Sequence, residues 1–315
     1  MVHSGQAGAT GAPAMVSEPA MEQRIAGAPI SWGVCEVPGW GWQMGPARVL
    51  AEMRDVGLTA TEFGPTGFLP AGPAERAALL TRYGLEAVGG FVPVVLHDAG
   101  HDPAAGFDAT LDAFVAAGAG TVVLAAATGK DGYDERPVLD VAGWGRLLDN
   151  LDRLRAVAFE RGVVPTLHPH VGTMVETAAE VARVLADSPV GICLDTGHLL
   201  IGGSDPVELA ARHTDRIRHV HLKDVDAAWA ARVRSGAASY TDAVRSGMYR
   251  PLGQGDVDVA SIVTSLESAG YAGWYVLEQD TVLTGPQDSD GALADVRASV
   301  EHLRAVGRSI AAGPR

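Results

Sequence analysis

The chain has 315 residues, of which 47% are apolar and 20% are charged. This apolar share is typical of a globular protein and excludes a disordered chain. The 38 acidic residues outnumber the 24 basic ones, and a net charge of −14 would repel nucleic acid. The two cysteines, Cys35 and Cys193, exclude a disulfide scaffold and a cysteine-rich zinc site. They are typical of a reducing compartment, so we expect a cytoplasmic protein.

The N-terminal segment differs in composition from the rest of the chain. Residues 1–24 are rich in Gly, Ala, Ser and Pro, and they lack the basic start and apolar core of a signal peptide. We therefore predict a disordered tail over 1–24 and a single domain over 25–315. No stretch approaches the ~20 apolar residues that a membrane helix needs, so we expect no membrane partner.

Short β-like runs alternate with longer helical patterns after the tail. The predicted strands are 25–32, 58–63, 85–95, 121–127, 163–167, 191–194, 217–222 and 274–277. Helices are predicted between Pro46 and Gly57, between Pro73 and Gly84, and over 108–117, 139–161 and 293–306. Thr173-x-x-Glu176 has the spacing of a capping box and predicts the start of a further helix.

Eight predicted strands that alternate with helices indicate parallel βαβ units. Such units form either an open doubly wound sheet or a closed (β/α)8 barrel. An open sheet usually carries a glycine-rich phosphate fingerprint after its first strand. Here Ile30 is followed by Ser-Trp-Gly-Val-Cys-Glu, which is not such a fingerprint. The count of eight favours a single-domain (β/α)8 TIM barrel.

In such a barrel, the active site lies where strands end and βα loops begin. The polar residues at these positions are Ser31, Trp32, Glu62, His97, His168, His170, Asp195, His198, His221, Lys223, Asp224 and Glu278. The last four strands all supply side chains of the types that bind metal ions. The sequence therefore predicts a site at this end of the barrel.

Three of these residues support a metal site, although each also has a structural interpretation. Asp195 has the position of a helix N-cap. His219 and His221 share one strand face, and His219 is suited to the core. Glu278 closes a buried strand, where an unpaired carboxylate is costly without a partner or a metal. Together they predict a divalent cation, and mixed His and carboxylate ligands suit Mn²⁺, Co²⁺, Fe²⁺ or Zn²⁺ better than Ca²⁺.

The remaining candidates carry weaker signals. Trp32, Trp40 and Trp42 form either an apolar wall under a sugar ring or a cap on the barrel. Glu62 either lines the pocket or pairs with a basic neighbour. Cys35 is interpreted as a residue near the open end of the barrel that has no catalytic role, and Cys193 is interpreted as a core residue.

At these residues the chain resembles the xylose-isomerase-like barrel superfamily, and within it the inosose dehydratase and sugar isomerase/epimerase group. The segments that carry the resemblance are 193–198, 219–224, 251–256 and 276–278. Residues 168–173, His-Pro-His-Val-Gly-Thr, are similar to a His-rich motif of inosose dehydratases, and residues 28–32 to their first strand.

The resemblance implies a metal held by an acid, an Asp, a His and a Glu. Asp195, His221 and Glu278 match the last three of these. Epimerases of the superfamily carry a Glu at the first position, where this chain has histidines. We take His170 as the fourth ligand, with His168 as the alternative. Mn²⁺ or Co²⁺ is the expected ion, with Fe²⁺, Zn²⁺ or Mg²⁺ as alternatives.

The resemblance also implies the chemistry. An epimerase with two opposed Glu residues can move a proton from one face of a substrate to the other, but only Glu278 is retained here. We therefore expect dehydration of a keto-cyclitol or keto-sugar through an enolate, as in inositol catabolism, with isomerisation or epimerisation on the same metal site as the alternative. Glu278, His198 and Lys223 are the expected catalytic residues. The expected substrate-binding residues are Trp32, Glu62, His168, His198 and Lys223.

Few basic residues other than Lys223 lie at strand ends, which favours a neutral polyol ketone over a phosphorylated sugar. The alternative is an anionic substrate bound by a lid that carries four arginines after the seventh strand: Arg232, Arg234, Arg245 and Arg250. We expect a homo-oligomer, a dimer or tetramer. A DNA-repair function is excluded by the charge, and a metal-free binding or scaffold barrel is a further alternative.

Overall fold

The computed structural model describes residues 20–313. Its strands are β1 Ile25–Gly27, β2 Ala60–Thr61, β3 Glu86–Ala87, β4 Gly89–Val94, β5 Thr121–Ala126, β6 Val164–Leu167, β7 Gly191–Asp195, β8 Ile217–Leu222, β9 Asp224–Val225, β10 Tyr249–Arg250 and β11 Tyr275–Leu277. Its α-helices are α1 Pro46–Asp55, α2 Pro73–Arg82, α3 Phe107–Ala116, α4 Val141–Glu160, α5 Ala178–Asp187, α6 Thr196–Ile201, α7 Pro206–Arg212, α8 Ala227–Arg234, α9 Tyr240–Arg245, α10 Val259–Ser268 and α11 Ser289–Ala312.

The main sheet closes into a barrel. Its strand order is β3-β2-β1-β11-β8-β7-β6-β5-β4, and neighbouring strands are parallel. The two end strands, β3 and β4, are separated only by Val88. The Val88 amide donates to the Thr61 carbonyl, and the Val88 carbonyl accepts from the amides of Gly120 and Thr121. One interrupted strand therefore bonds to both sides of the sheet, which confirms the predicted (β/α)8 barrel.

The helices surround this barrel and bury their apolar faces. Helix α4 is an example: Leu147, Leu151, Leu154 and Ala158 are all buried, as their helical spacing predicts.

Inside the barrel, the side chains of Val276 and Glu278 point to the same side, because side chains alternate along β11. Val276 packs in a small apolar cluster, whereas Glu278 lies one layer closer to the open end.

Strand β1 is shorter than predicted. It ends at Gly27, and residues Pro29–Trp32 form a 3₁₀ turn instead of continuing the strand. Gly33 closes this turn with a φ of 76°, in the left-handed region that glycine adopts at little cost. The turn changes the direction of the side chains that follow β1, including Trp32.

The capping box before α5 lies four residues later than predicted. Thr177 caps α5 by accepting the Glu180 amide, and the Glu180 carboxylate accepts the Thr177 amide in return. Thr173 instead donates its hydroxyl to the carbonyls of His170 and Val175 within the loop. The motif T-x-x-E occurs twice in succession, and the helix begins at the second copy.

Thr177→Ala is expected to lower the free energy of unfolding by about 1 kcal/mol, because the N-cap oxygen is lost. Thr264→Ala is the matched control, since the exposed Thr264 hydroxyl only donates to a carbonyl of its own helix. Urea denaturation of both variants checks this expectation. Equal stabilities for the two variants would contradict the assigned start of α5.

Residues 1–19 of the predicted tail lie outside the described residues. The last residues of that prediction are ordered: Met21–Gln23 form a 3₁₀ turn with Met21 buried, and Arg24 pairs with Glu267 at 2.7 Å. The domain therefore begins before residue 25. Across residues 20–313, no helix combines the length and the apolar character needed to cross a membrane.

Candidate metal centre and active site

A cavity of about 670 Å³ lies at the end of the barrel where the strands finish. Its lining includes the carboxylates of Glu36, Glu62, Glu278 and Asp280, together with Phe91, Tyr133, His168, His170 and Lys223. Among the described residues that line it, Lys223 is the only cation. The predicted site therefore lies in a cleft rich in carboxylates.

Asp195, His221 and Glu278 lie together beside this cavity, and of these three only Glu278 belongs to its described lining. One ligand atom from each lies within 4.8 Å of the others. His221 Nδ1 is 3.2 Å from Glu278 Oε2 and 3.7 Å from Asp195 Oδ2. Asp195 is the predicted N-cap, because its Oδ1 accepts the His198 amide, and its Oδ2 faces the cluster, as the predicted ligand role requires. The structure thus brings together three of the four predicted ligands.

These side chains fit a divalent cation. Asp195 Oδ2, His221 Nδ1 and both ring nitrogens of His168 are buried and form no hydrogen bond, although His168 Nε2 and His221 Nδ1 lie 3.2 and 3.7 Å from Asp195 Oδ2. Buried polar atoms are rarely left unpaired, and several of them converge here. Burial alone would lower the pKa of His221, but Cys193, Glu278 and Glu62 raise it well above its usual range. The environment therefore favours a positive charge at Nδ1, which a proton or a metal ion can supply.

Glu62 sets the orientation and tautomer of His221. The Nε2–H groups of His219 and His221 both donate to Glu62 Oε1, at 2.7 and 2.9 Å. Burial would raise the pKa of Glu62, but the two histidines outweigh it and hold the carboxylate ionised. Because Nε2–H is bonded to Glu62, Nδ1 is the nitrogen that His221 can offer to a metal ion in place of a proton. Glu62 both borders the cavity and pairs with two histidines. The two alternatives given for it from the sequence, a pocket residue and a partner of a basic residue, therefore both apply.

Lys223 links the cluster to a second carboxylate. Its ammonium lies 2.7 Å from Asp280 Oδ1, 3.0 Å from Glu278 Oε2 and 3.0 Å from His198 Nε2. Burial would lower the pKa of Lys223, but Asp195, Asp280 and Glu278 raise it well above its usual range. Burial would likewise raise the pKa of Glu278, and His221 and Lys223 instead lower it to about 2. Near neutral pH the cavity thus contains an ammonium beside an ionised carboxylate.

The two histidines after β6 have different surroundings. His168 Nε2 lies 3.2 Å from Asp195 Oδ2, next to the ligand cluster. His170 instead donates Nδ1–H to the Val171 carbonyl at 2.6 Å and belongs to none of the groups of metal-ligand atoms found among the described residues. The geometry therefore favours His168, the alternative, over His170 as the fourth ligand.

Two predicted substrate-binding residues do not reach the cavity. Trp32 is fully buried, and its indole N–H donates to Glu52 of α1 at 2.8 Å because the 3₁₀ turn directs it there. Trp40 is buried as well, Trp42 is half-buried, and none of the three belongs to the described cavity lining, which does not support a wall under a substrate. His198 lies behind His170, with the two ring centroids 3.7 Å apart. It contacts Lys223 rather than the cavity, so its expected catalytic role is not supported.

Other strand-end residues have structural roles. The Asp224 carboxylate accepts amides of Gly253, Gly255 and Val257, which fixes the 251–257 turn. Ser31 donates to the Leu277 carbonyl and accepts the Gln279 amide. His97 borders a separate surface cleft. Of the described cavity lining, none comes from the four arginines proposed as a lid: Arg232, Arg234, Arg245 and Arg250.

The sequence interpretation missed Asp280, Tyr133 and Tyr240. Tyr240 donates its hydroxyl to Asp280 Oδ2 at 2.5 Å, and Tyr133 donates to Glu36 Oε1 at 2.8 Å while its ring lies against His170. Asp280 follows Glu278 by two residues, so its position after β11 was a usable signal. The two tyrosines lie in long loops or short helices, and nothing in the sequence indicates their contacts.

Comparison with known proteins agrees with this geometry. Residues 50–306 match the family described as the xylose isomerase-like TIM barrel. The chain belongs to this family. An inosose dehydratase from Geobacillus kaustophilus is 33% identical to it over 278 residues, covering 84% of this chain and 90% of the relative. The rhizopine catabolism protein MocC of Rhizobium meliloti is 36% identical over 309 residues, covering 94% and 91%.

Solved structures share the fold of this xylose isomerase-like barrel. An L-ribulose 3-epimerase superposes with a TM-score of 0.66 at 17% identity, covering 92% of this chain and 96% of its own. The IolI protein with a bound zinc atom gives 0.65 at 15% identity, covering 91% and 99%. At these identities the likeness shows the fold alone. Relatives named inosose dehydratase, at 33% and 30% identity over most of this chain, show that the chain is an enzyme and confirm the resemblance read from the sequence.

Glu62→Gln is expected to weaken the binding of a divalent ion by ~10–100-fold, because the ligand His221 loses the ionised carboxylate that orients it. Chelator competition with Co²⁺ measures the dissociation constant. The position of the Co²⁺ absorption bands reports whether the ligand set changes. If Glu62 served the substrate alone, only KM would change and the Co²⁺ affinity would equal that of the unmodified protein.

Proposed function

We propose that this protein is a divalent-metal-dependent lyase that removes water from a neutral keto-cyclitol or keto-sugar. The observation that carries the proposal is the convergence of buried ligand atoms of Asp195, His221 and His168, none in a hydrogen bond, next to the cavity-lining Glu278. The proposal is supported by the identity to an inosose dehydratase over most of both chains. The expected ion is Mn²⁺ or Co²⁺, since both accept mixed imidazole and carboxylate ligands.

The ligand set supports dehydration over epimerisation. Transfer of a proton between two faces of a substrate needs a base on each face. In this chain His168, an imidazole close to Asp195, takes the position at the end of β6 where a second carboxylate would be needed. Among the described residues that line the cavity, Glu278 is the only carboxylate of the proposed ligand set. A dehydratase needs a base on one face and a proton donor for the leaving hydroxyl.

His170 is suited to the role of base. Its Nδ1–H is committed to the Val171 carbonyl, so Nε2 is the nitrogen that can accept a proton. The ring is held between His198 and Tyr133, with centroids 3.7 and 4.9 Å away, and it borders the cavity. In the proposed reaction Nε2 takes the proton from the carbon beside the ketone, and that C–H electron pair becomes the new C=C bond.

Lys223 is suited to assist the departing hydroxyl. Its ammonium borders the cavity and is kept charged by Asp195, Asp280 and Glu278. As the C–O bond breaks, the oxygen keeps that electron pair and takes a proton from the ammonium, so that it leaves as water. A bound divalent ion would polarise the ketone oxygen and stabilise the negative charge that develops there.

The charges of the cavity support a substrate without phosphate. Four carboxylates and one ammonium border it in the described part of the chain, and a phosphoryl group would need more cationic donors. A polyol ketone carries no charge and offers hydroxyls to these carboxylates. A homo-oligomeric assembly and a cytoplasmic location stay predictions from the sequence.

Proton NMR in D₂O tests the proposal. The Mn²⁺- or Co²⁺-loaded enzyme is incubated with a panel of inososes and keto-hexoses, then removed together with its metal before spectra are recorded. We expect loss of the β-hydroxyl and signals of an enone or dione, and none of these with Asp195→Asn. Deuterium uptake beside the ketone without loss of water would instead establish the alternative, an isomerase or epimerase. No change with any substrate in the metal-bound enzyme would contradict both.

A further inference from the structure

Cys193 lies directly below the ligand cluster and has no part in the proposed reaction. It precedes Asp195 by two residues on β7, so both side chains point into the barrel and Cys193 lies one layer deeper. It is fully buried and is not part of a disulfide. Its Sγ, one nitrogen of His168 and one nitrogen of His221 all lie within 4.8 Å of one another.

The two histidines give this thiol the partners of a metal site. His168 is 2% exposed and His221 is 1% exposed. Both ring nitrogens of His168, and Nδ1 of His221, lack a hydrogen-bond partner. One sulfur and two imidazole nitrogens form a soft ligand set, which selects zinc-like and thiophilic ions over Mn²⁺ or Mg²⁺.

We propose that His168, Cys193 and His221 form a second ion position that binds a thiophilic divalent cation such as Cd²⁺ or Zn²⁺. When the ion binds, the S–H bond of Cys193 breaks, the sulfur keeps the electron pair for the metal, and the proton passes to solvent. This position depends only on these three side chains, whatever reaction the cavity supports.

The two ion positions exclude each other. The Nε2–H of His221 is committed to Glu62, which leaves Nδ1 as its only lone pair. The same imidazole therefore cannot serve an ion held by Asp195 and Glu278 and an ion held by Cys193 at the same time. Hard ions favour the carboxylates of Asp195 and Glu278, and thiophilic ions favour the thiolate of Cys193. Thiophilic cations are thus expected to displace Mn²⁺.

Ultraviolet titration of the full-length, metal-free protein with Cd²⁺ tests the site. We expect a thiolate-to-metal charge-transfer band that saturates near one equivalent, is lost in Cys193→Ser and is retained in Cys35→Ser, the matched control with the other cysteine of the chain. When Cd²⁺ is added to the Mn²⁺-loaded protein, it should release Mn²⁺. Electron paramagnetic resonance measures the Mn²⁺ that is released. In Cys193→Ser this release should need at least a 10-fold higher Cd²⁺ concentration.

Retention of the band in Cys193→Ser, or tight Cd²⁺ binding by the unmodified protein without a band, would overturn the proposal. Should Cys193→Ser not fold, ¹¹³Cd NMR of the unmodified protein decides the question, because a thiolate ligand moves the resonance far downfield of a site with only nitrogen and oxygen ligands. Neither readout uses catalytic activity, so failure of the proposed dehydratase reaction would leave this test unaffected.

Discussion

Asp195→Asn is expected to lower kcat/KM and the affinity for the divalent ion by more than ~100-fold, while the protein stays folded. Loss of a partner that merely orients a metal ligand costs ~10–100-fold, and loss of a ligand costs more. Asp195 Oδ1 accepts the His198 amide at 2.8 Å, and an asparagine at an N-cap preserves that hydrogen bond. The substitution therefore removes the charge at Oδ2 and little else.

Asp205→Asn is the matched control for this variant. Asp205 caps α7 by accepting the amides of Val207 and Glu208, and it lies outside the described cavity lining. Metal content by mass spectrometry, the Co²⁺ dissociation constant and steady-state kinetics are measured for both variants. Comparable activities for Asp195→Asn and Asp205→Asn would mean that Asp195 is only a helix cap.

Substitutions of the two histidines that follow β6, His168 and His170, are expected to have different effects. His170→Asn is expected to lower kcat by ~10²–10⁴-fold with an unchanged metal affinity, because a general base is lost. His168→Asn is expected to weaken metal binding first, because His168 Nε2 is adjacent to Asp195 Oδ2. The measurements are kcat at saturating Mn²⁺ and the Co²⁺ dissociation constant of each variant.

The opposite pattern would restore the prediction from the sequence. If His170→Asn loses the metal and His168→Asn retains it, His170 is the ligand and the proposed base must be sought elsewhere. Circular dichroism of both variants controls for folding. This control matters because His170 stacks on His198 and its carbonyl accepts the Thr173 hydroxyl.

The barrel and much of the ligand cluster could be predicted from the amino-acid sequence. Alternating strands and helices predict parallel units, and the carboxyl ends of parallel strands meet at one end of a closed sheet. This rule alone brings Asp195, His221, Lys223 and Glu278 together, and the structure places their side chains within a few ångströms of one another. The inference succeeded because it depends on periodicity and chain direction, which are local properties.

The surroundings of the individual side chains follow from turns and long-range packing. His168 and His170 are equivalent by spacing, and the turn that bonds His170 to Val171 gives the two rings different neighbours. Trp32 follows β1 in the sequence, but a 3₁₀ turn sends its indole to Glu52. The contact between Tyr240 and Asp280 joins residues 40 positions apart. Turn geometry and long-range packing are set by the whole fold, so they leave no periodic signal in the sequence.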